Sequence, residues 1–212
     1  CSSDLGEQAK VYGVRMYDVG KIAKEFYKKV SVLPKAEIFA LCGTLWQSGY
    51  LEEAVIACEC AYSLKAQYEP EDFEVFEYWL STHVDNWASC DTLCNHSIGT
   101  LIEQYPQYLS RLKAWTASEN RWVRRGAAVT LIIPAKKGLF FQDILDIATT
   151  LLHDRDDLVQ KGYGWMLKAA SEAYREKVFD FVICHKATMP RTALRYAIEK
   201  MPADMRAEAM KK

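Results

Sequence analysis

One tryptophan and one aspartate stand four residues apart in a segment with a helical pattern. Trp87 and Asp91 are one turn apart on such a helix, so their side chains share a face. A carboxylate beside an indole in a partly dry groove has an adjustable pKa, and this pair predicts stabilisation of a positively charged centre. The alternative is that Trp87 is part of the core and that Asp91 caps or pairs with a neighbouring helix.

A second candidate segment contains two adjacent arginines. Arg124 and Arg125 cannot point the same way on a helix, so we expect one to face a groove and the other to face away. The planar guanidinium suits bidentate recognition of phosphate. An arginine on a helix surface also commonly serves as a salt-bridge partner, and that alternative remains open.

A third candidate segment combines glycines, an aromatic residue and cations. Gly162 and Gly164 lie inside a predicted helix, where each costs roughly 1 kcal/mol relative to alanine. The close approach of another helix or of a ligand must offset that cost. Trp165 and Lys168 share a face of this helix. The segment predicts either an aromatic and cationic contact surface or a tight helix crossing.

Prolines indicate how the elements that hold these residues are organised. Three of the six prolines occur at positions 34, 70 and 106, a spacing of 36 residues each time. Each precedes apolar residues at helical spacing, as proline does in the first turn of a helix. After Pro34, for example, the apolar set is Ile38, Leu41, Leu45 and Trp46.

A second helix is expected in each repeat, starting near Leu51, Asn86, Asn120 and Asp156. The last three are good N-cap residues. Two-helix repeats of 34–36 residues predict an all-α fold, an α-solenoid of HEAT-like two-helix repeats with a concave groove formed by the second helices. An ordinary helical bundle is the alternative. Further helices are expected over residues 18–30, 140–152, 157–173, 177–185 and 191–201.

The charge of the chain is distributed unevenly. Half of the 212 residues are hydrophobic, which excludes a disordered protein, and no apolar run is long enough for a membrane span. Residues 1–105 carry 8 basic and 16 acidic side chains, whereas residues 106–212 carry 19 and 12. The second half can therefore create a local positive field that the net charge of −1 conceals. The alternative is a solvated basic surface.

Cysteine usage favours reduced thiols. The seven cysteines are odd in number in a chain with a large core, which predicts a cytoplasmic protein. Cys58, Cys60, Cys90 and Cys94 lack the usual zinc spacing and lie in apolar helical patterns, so we expect buried thiols. The four histidines form no ligand pair, and we predict no metal site.

Four segments resemble the AlkD-like DNA alkylation repair proteins, a family of HEAT-like-repeat alkylpurine DNA glycosylases. The resemblance runs in order along nearly the whole chain, and the third segment is the most specific. The segments are YGVR at 12–15 with KIAK at 21–24, DNW at 85–87 through Asp91, WTASENRWVRR at 115–125, and QKGYGWMLK at 160–168.

The resemblance implies a hydrolase of base excision repair. Such an enzyme removes cationic N3- and N7-alkylated purines from duplex DNA by cleaving the N-glycosidic bond without flipping the base. By motif position, Asp91 is the implied catalytic carboxylate, Trp87 and Trp165 the aromatic pair at the damaged nucleotide, and Arg125 the phosphate ligand. The implied partner is alkylated double-stranded DNA, with no cofactor, and we expect a monomer with no membrane partner.

The basic residues of the second half are predicted to form the rest of the DNA footprint. We expect one domain over residues 1–212, with the N-terminal helix of many family members truncated or absent. The alternative function is a non-catalytic solenoid that binds DNA or a protein partner through the same groove. The predicted footprint comprises Arg124, Arg125, Lys136, Lys137, Lys161 and Lys168.

Overall fold

Helices make up almost all the regular structure in residues 10–211, which a computed structural model describes. Within these residues there is no strand, only one β-bridge between Lys10 and Tyr50. The chain divides into an N-terminal unit that ends at Tyr105 and a C-terminal unit that starts at Pro106. This boundary coincides with the change from an excess of acidic to an excess of basic side chains. The sequence-based expectation that an N-terminal helix is truncated or absent concerns the residues before Lys10, which lie outside the described range.

The N-terminal unit is built around helix pairs. A 3-10 turn at Lys65–Gln67 follows α3, and a π-helical turn at Leu93–Ile98 joins α5 to α6. The α-helices are α1 (Met16–Val30), α2 (Lys35–Gln47), α3 (Leu51–Ser63), α4 (Asp72–Thr82), α5 (Trp87–Thr92) and α6 (Gly99–Gln104).

The C-terminal unit is also helical, and its longest helix, α11, consists of two helical segments joined at a bend. Tyr174 has non-helical dihedrals, with φ −131° and ψ 51°, so α11 bends there into the two helices that the sequence predicted. The α-helices are α7 (Leu109–Trp115), α8 (Arg121–Val129), α9 (Ile132–Lys136), α10 (Phe141–Thr150), α11 (Asp157–His185), α12 (Arg191–Ile198) and α13 (Ala203–Met210).

Three predicted N-caps are confirmed. The side-chain oxygens of Asn86, Asn120 and Asp156 each accept a hydrogen bond, at 2.9 Å, from a backbone N–H two or three residues later. Each bond satisfies a donor that the first turn of a helix leaves free. These caps fix where α5, α8 and α11 begin, and with them the positions of the candidate residues that follow.

The buried face of α2 differs by one residue from the prediction. Leu41 is 36% exposed, whereas Cys42 beside it is fully buried. Ile38 and Trp46 are buried as expected, and Cys42 lies between them at i+4 on the same face. The four cysteines predicted to be buried, Cys58, Cys60, Cys90 and Cys94, are buried free thiols; Cys42 is buried as well, and Cys184 is exposed.

A buried carboxylate attaches the segment before α1 to α3. Glu52, in the first turn of α3, is 4% exposed and accepts hydrogen bonds from the backbone N–H groups of Tyr12, Gly13 and Val14 at 2.9–3.2 Å. Burial opposes ionisation of Glu52, but the backbone donors outweigh it, so its pKa lies below the usual value. The ring of Tyr12 stacks on that of Tyr50, with centroids 3.9 Å apart.

Each unit has one helix that contacts several others. In the N-terminal unit α3 packs against α1, α2 and α5, and in the C-terminal unit α11 packs against α8, α9, α10 and α12.

Among the helices of residues 10–211, none combines the length and the apolar character that crossing a membrane requires.

Candidate functional site

The tryptophan–aspartate pair lies at the start of α5 in the N-terminal unit. Trp87 is the first residue of the helix, directly after the Asn86 cap, and is half-buried. Asp91, one turn later, is 8% exposed. Since the cap sets the helix start, it also sets the direction of both side chains. The result is a nearly buried carboxylate on the same helix face as an indole that reaches the surface.

A change of helical register follows directly after this pair. The π-helical turn Leu93–Ile98 begins two residues beyond Asp91, and the Asn95 amide donates to the Asp91 backbone carbonyl at 3.1 Å. The ring of His96 in this turn packs on Tyr62, with centroids 5.2 Å apart. Single π turns inside helices are frequent at functional sites. This turn was not predicted from the sequence, because the apolar spacing of the segment is compatible with an ordinary α-helix.

Arg124 is held within the C-terminal unit by several partners. Its Nε donates to Asp154 at 2.6 Å, and its Nη1 donates to the backbone carbonyls of Ser118 and Glu119 at 2.9 and 3.0 Å. The side chain of Asp154 is only 9% exposed. Arg124 therefore joins the turn before α8 to the turn before α11, as the salt-bridge alternative describes.

Arg125 points in another direction, as expected for adjacent helical residues. It is 5% exposed, and its Nη1 donates to the backbone carbonyl of Leu158 in the first turn of α11. A Cβ at Gly162 would lie 3.4 Å from Arg125 Cγ, an ordinary van der Waals contact. Arg125 thus lies against the first two turns of α11, close to Lys161.

Gly164 permits a close helix crossing. A Cβ there would lie 2.7 Å from the Ala193 carbonyl oxygen and 2.7 Å from Tyr196 Cβ, both in α12. Such distances require the backbone to move. The tight-crossing alternative therefore explains Gly164, whereas Gly162 faces Arg125.

One half-buried face of α11 carries an aromatic ring between two cations. Lys161 pairs with Asp157 at 2.5 Å, and Lys168 pairs with Glu199 at 3.0 Å. The hydrogen bond to Asp157 raises the pKa of Lys161, although partial burial and the nearby Arg125 act in the opposite direction. Trp165 is half-buried and makes no hydrogen bond or ring contact with any residue between 10 and 211.

The remaining two predicted cations lie at the C-terminal end of α9. Lys136 and Lys137 are both exposed. Lys136 contributes to the lowered pKa of Glu172, although the main cause of that shift is the hydrogen bond from Lys200.

The predicted residues are divided between the two units. In the C-terminal unit, Arg125 of α8 lies against α11, and α11 itself carries Lys161, Trp165 and Lys168. Trp87 and Asp91 lie in the N-terminal unit. Among the described residues, no group of three or more His, Cys, Asp or Glu side chains has the arrangement of a metal site.

Comparisons with known proteins identify the family. A sequence profile described as DNA alkylation repair enzyme matches residues 3–201. Three solved chains match the fold, among them one titled "Predicted DNA alkylation repair enzyme from Enterococcus faecalis", with a TM-score of 0.79 and 17% identity over 90% of this chain and 88% of that chain. This likeness confirms the predicted all-α fold of repeated helix pairs. A search of curated proteins found no match.

The profile covers nearly all of the sequence, and the fold agrees with it. The chain therefore belongs to the DNA alkylation repair enzyme family.

Proposed function

We propose that the protein is a DNA glycosylase that releases cationic N3- and N7-alkylated purines from duplex DNA. The proposal is carried by one observation: a member of the DNA alkylation repair enzyme family has a nearly buried carboxylate, Asp91, one turn beyond the half-buried Trp87. Base excision repair would be the process that it serves. The support is the family together with the chemistry of these residues.

The charge of the substrate determines what the protein must supply. An alkylated purine already carries a positive charge, so it leaves as a neutral base without a general acid. When the N-glycosidic bond breaks, its electron pair goes to the purine and positive charge develops on the deoxyribose. A fixed carboxylate such as Asp91 stabilises that oxocarbenium ion and orients the water that adds to the anomeric carbon. The added water loses one proton to the solvent as its oxygen bonds to that carbon. Tryptophan faces also favour a nearby cation, by roughly 0.5–2 kcal/mol.

The C-terminal unit supplies phosphate binding in this proposal. Arg125 is presented by α8 against the start of α11, and Lys161 and Lys168 lie on either side of Trp165 along α11. The aromatic face of Trp165 is free of partners among residues 10–211 and suits contact with a sugar. Contacts to the DNA backbone carry no sequence information, which fits a protein that recognises damage.

We include in the proposal that the damaged base stays within the duplex. Most enzymes that act on a base extrude it into a pocket and thereby lose its stacking. In the proposed mechanism the contacts are made to the deoxyribose and the backbone, where the positive charge develops. Bond cleavage then requires access to the sugar and not to the base edges.

One observation favours a second candidate, a solenoid that binds DNA or a protein partner without catalysis. Several cations predicted to contact DNA already have acidic partners: Asp154 for Arg124, Asp157 for Lys161 and Glu199 for Lys168. A phosphate would have to compete with those carboxylates. Binding would then be weaker than the count of basic residues suggests.

The release of 7-methylguanine and 3-methyladenine from methylated duplex DNA distinguishes the two candidates. The glycosylase proposal predicts release by the parent protein and loss of release in Asp91→Asn with duplex binding retained. The absence of release by the parent, together with salt-sensitive duplex binding, would contradict the glycosylase and support the second candidate.

A further inference from the structure

Four exposed side chains form one stripe along α1 in the N-terminal unit. Tyr17, Lys21, Lys24 and Lys28 are spaced by four, three and four residues, so they share one face of the helix. Tyr17 is 72% exposed, and Lys21 Nζ lies 4.3 Å from the centre of its ring. The stripe is about 16 Å long at the helical rise of 1.5 Å per residue. These four residues are called the basic stripe below.

The lysines of the basic stripe have no acidic partner among residues 10–211. Glu25 lies on the same helix and forms an ion pair with none of them. By contrast, Lys35 in the same unit is held by Glu69 at 2.6 Å and by Asp72 at 2.9 Å. A lysine in the last turn, such as Lys28, stabilises the helix dipole. That effect does not account for Lys21 and Lys24, whose charges repel each other at i and i+3.

The surroundings of the stripe make its charge unusual. Residues 10–29 carry six basic and two acidic side chains, whereas all other residues up to 105 carry two basic and fourteen acidic ones. A polyanion is therefore repelled by most of the N-terminal unit and attracted at one place. Since Trp87 and Asp91 belong to this acidic unit, any DNA that they act on has to overcome that repulsion.

The position of the basic stripe on α1 is fixed relative to α5, the helix that carries Trp87 and Asp91. Both α1 and α5 pack against α3. In addition, Glu52 of α3 accepts the backbone hydrogen bonds that hold the segment before α1. A contact made by the stripe therefore orients the whole N-terminal unit.

We propose that the basic stripe binds the sugar–phosphate backbone of duplex DNA and so brings the acidic N-terminal unit onto its substrate. This inference rests on the proposed function and adds a binding surface to it. The lysine ammonium groups contact successive phosphates, and the exposed ring of Tyr17 packs on a deoxyribose. The contact is independent of base sequence.

The chain offers a matched pair of residues for the test. Lys28 and Lys29 are neighbours in the last turn of α1, and both are exposed and unpaired among the described residues. Only Lys28 lies on the stripe, since Lys29 is rotated by about 100°. The affinity for an undamaged duplex is measured against salt concentration for the parent, Lys28→Gln, Lys29→Gln and the triple variant Lys21→Gln/Lys24→Gln/Lys28→Gln.

The expected result follows from counterion release. Each lost phosphate contact reduces the slope of log affinity against log salt by about 0.9, so Lys28→Gln loses about 0.9 and the triple variant about 2.7. The ratio of parent to triple-variant affinity then falls about 40-fold between 50 and 200 mM salt. Lys29→Gln keeps the parent slope. Unchanged melting temperatures confirm that the variants are folded.

Three results would overturn the basic stripe as a DNA contact. The first is a triple variant with the parent slope. The second is an equal loss of slope in Lys28→Gln and Lys29→Gln, which would indicate a general charge effect. The third is a triple variant that no longer binds phosphatidylserine vesicles but binds the duplex as the parent does, which would assign the stripe to an anionic membrane.

Methylpurine release by the parent is measured separately. If the parent releases methylpurines but the triple variant binds the duplex like the parent, only this inference is contradicted. If the triple variant loses duplex binding but the parent releases no methylpurine, only the proposed function is contradicted.

Discussion

The two units of the chain use their cations in different ways. In the C-terminal unit Arg124, Lys161 and Lys168 each lie within 3.0 Å of a carboxylate oxygen. In the N-terminal unit, three lysines on one face of α1 have no such partner among residues 10–211. In the unit with the larger number of basic residues, several of them therefore form ion pairs within the fold. The acidic unit, by contrast, leaves Lys21, Lys24 and Lys28 unpaired on one face of α1.

This contrast shows that the number of basic residues is a poor measure of binding capacity. A cation that is already paired gains little from a phosphate, because it exchanges one anionic partner for another. An unpaired cation on a surface gains the whole interaction and releases counterions from the DNA. The following variants test the contrast between structural and available cations.

The largest expected effect on stability is that of Arg124→Ala. It leaves the nearly buried Asp154 without its partner, and breaking a buried ion pair costs about 3 kcal/mol or more. Calorimetric unfolding should show a lower melting temperature for the C-terminal unit. A variant as stable as the parent would mean that Arg124 is not a structural cation, and the contrast between the units would fail.

The two glycines of α11 are expected to behave differently. Gly164→Ala forces a Cβ to within 2.7 Å of the Ala193 carbonyl oxygen, and overpacking of this kind costs about 1–3 kcal/mol. Gly162→Ala meets Arg125 only at 3.4 Å and also gains about 1 kcal/mol of helix propensity.

Urea unfolding of both variants measures this difference directly. Gly164→Ala should be clearly less stable than the parent, whereas Gly162→Ala should be as stable as the parent or more stable by up to about 1 kcal/mol. Equal stabilities would show that α11 and α12 can separate without cost.

Glu52→Gln is expected to destabilise the N-terminal unit by about 2 kcal/mol at neutral pH, since hydrogen bonds to a charged acceptor are worth roughly 1.5–3 kcal/mol. The pKa of Glu52 is lowered by folding. Its ionised form therefore contributes fully above the unfolded pKa of about 4.3, and the contribution disappears as the pH falls through the lower folded value.

The parent and Glu52→Gln should accordingly differ most near pH 7 and converge in acid. Unfolding midpoints measured across this pH range provide the check. A difference that stays constant with pH would show that the Glu52 charge is not what holds residues 12–14.

The smallest expected effect is that of removing the basic stripe on stability. Surface substitutions away from structural contacts usually change the free energy of unfolding by less than about 0.5 kcal/mol. The triple variant Lys21→Gln/Lys24→Gln/Lys28→Gln should lie within that range, in contrast to Arg124→Ala. A large loss of stability would place these lysines among the structural cations.

Local signals allowed most helix starts to be predicted from the sequence. Asn86, Asn120 and Asp156 were identified as caps because capping involves only the next few residues. The turn near Tyr174 lies between the helices predicted over residues 157–173 and 177–185. In the same way, the spacing of Arg124 and Arg125 was enough to predict that they diverge.

Features that depend on distant residues were not predictable. The partner of Arg124 is Asp154, thirty positions away, and Glu52 accepts from a segment about forty positions earlier. The π-helical turn after Asp91 arises from packing and leaves no pattern in the sequence. Leu41, predicted on the buried face of α2, is exposed, and Cys42 is buried instead, because a helical face inferred from spacing alone is uncertain by one residue.

The catalytic role of Asp91 is the central claim, and the single-turnover rate of 7-methylguanine release tests it most directly. The parent is compared with Asp91→Asn and with Asp85→Asn, the same chemical change at an exposed aspartate six residues earlier. Removal of an electrostatic group that acts on the transition state costs about 10²–10³-fold in rate. We predict such a loss for Asp91→Asn alone, with duplex affinity retained. A rate for Asp91→Asn equal to that of the parent would contradict the account.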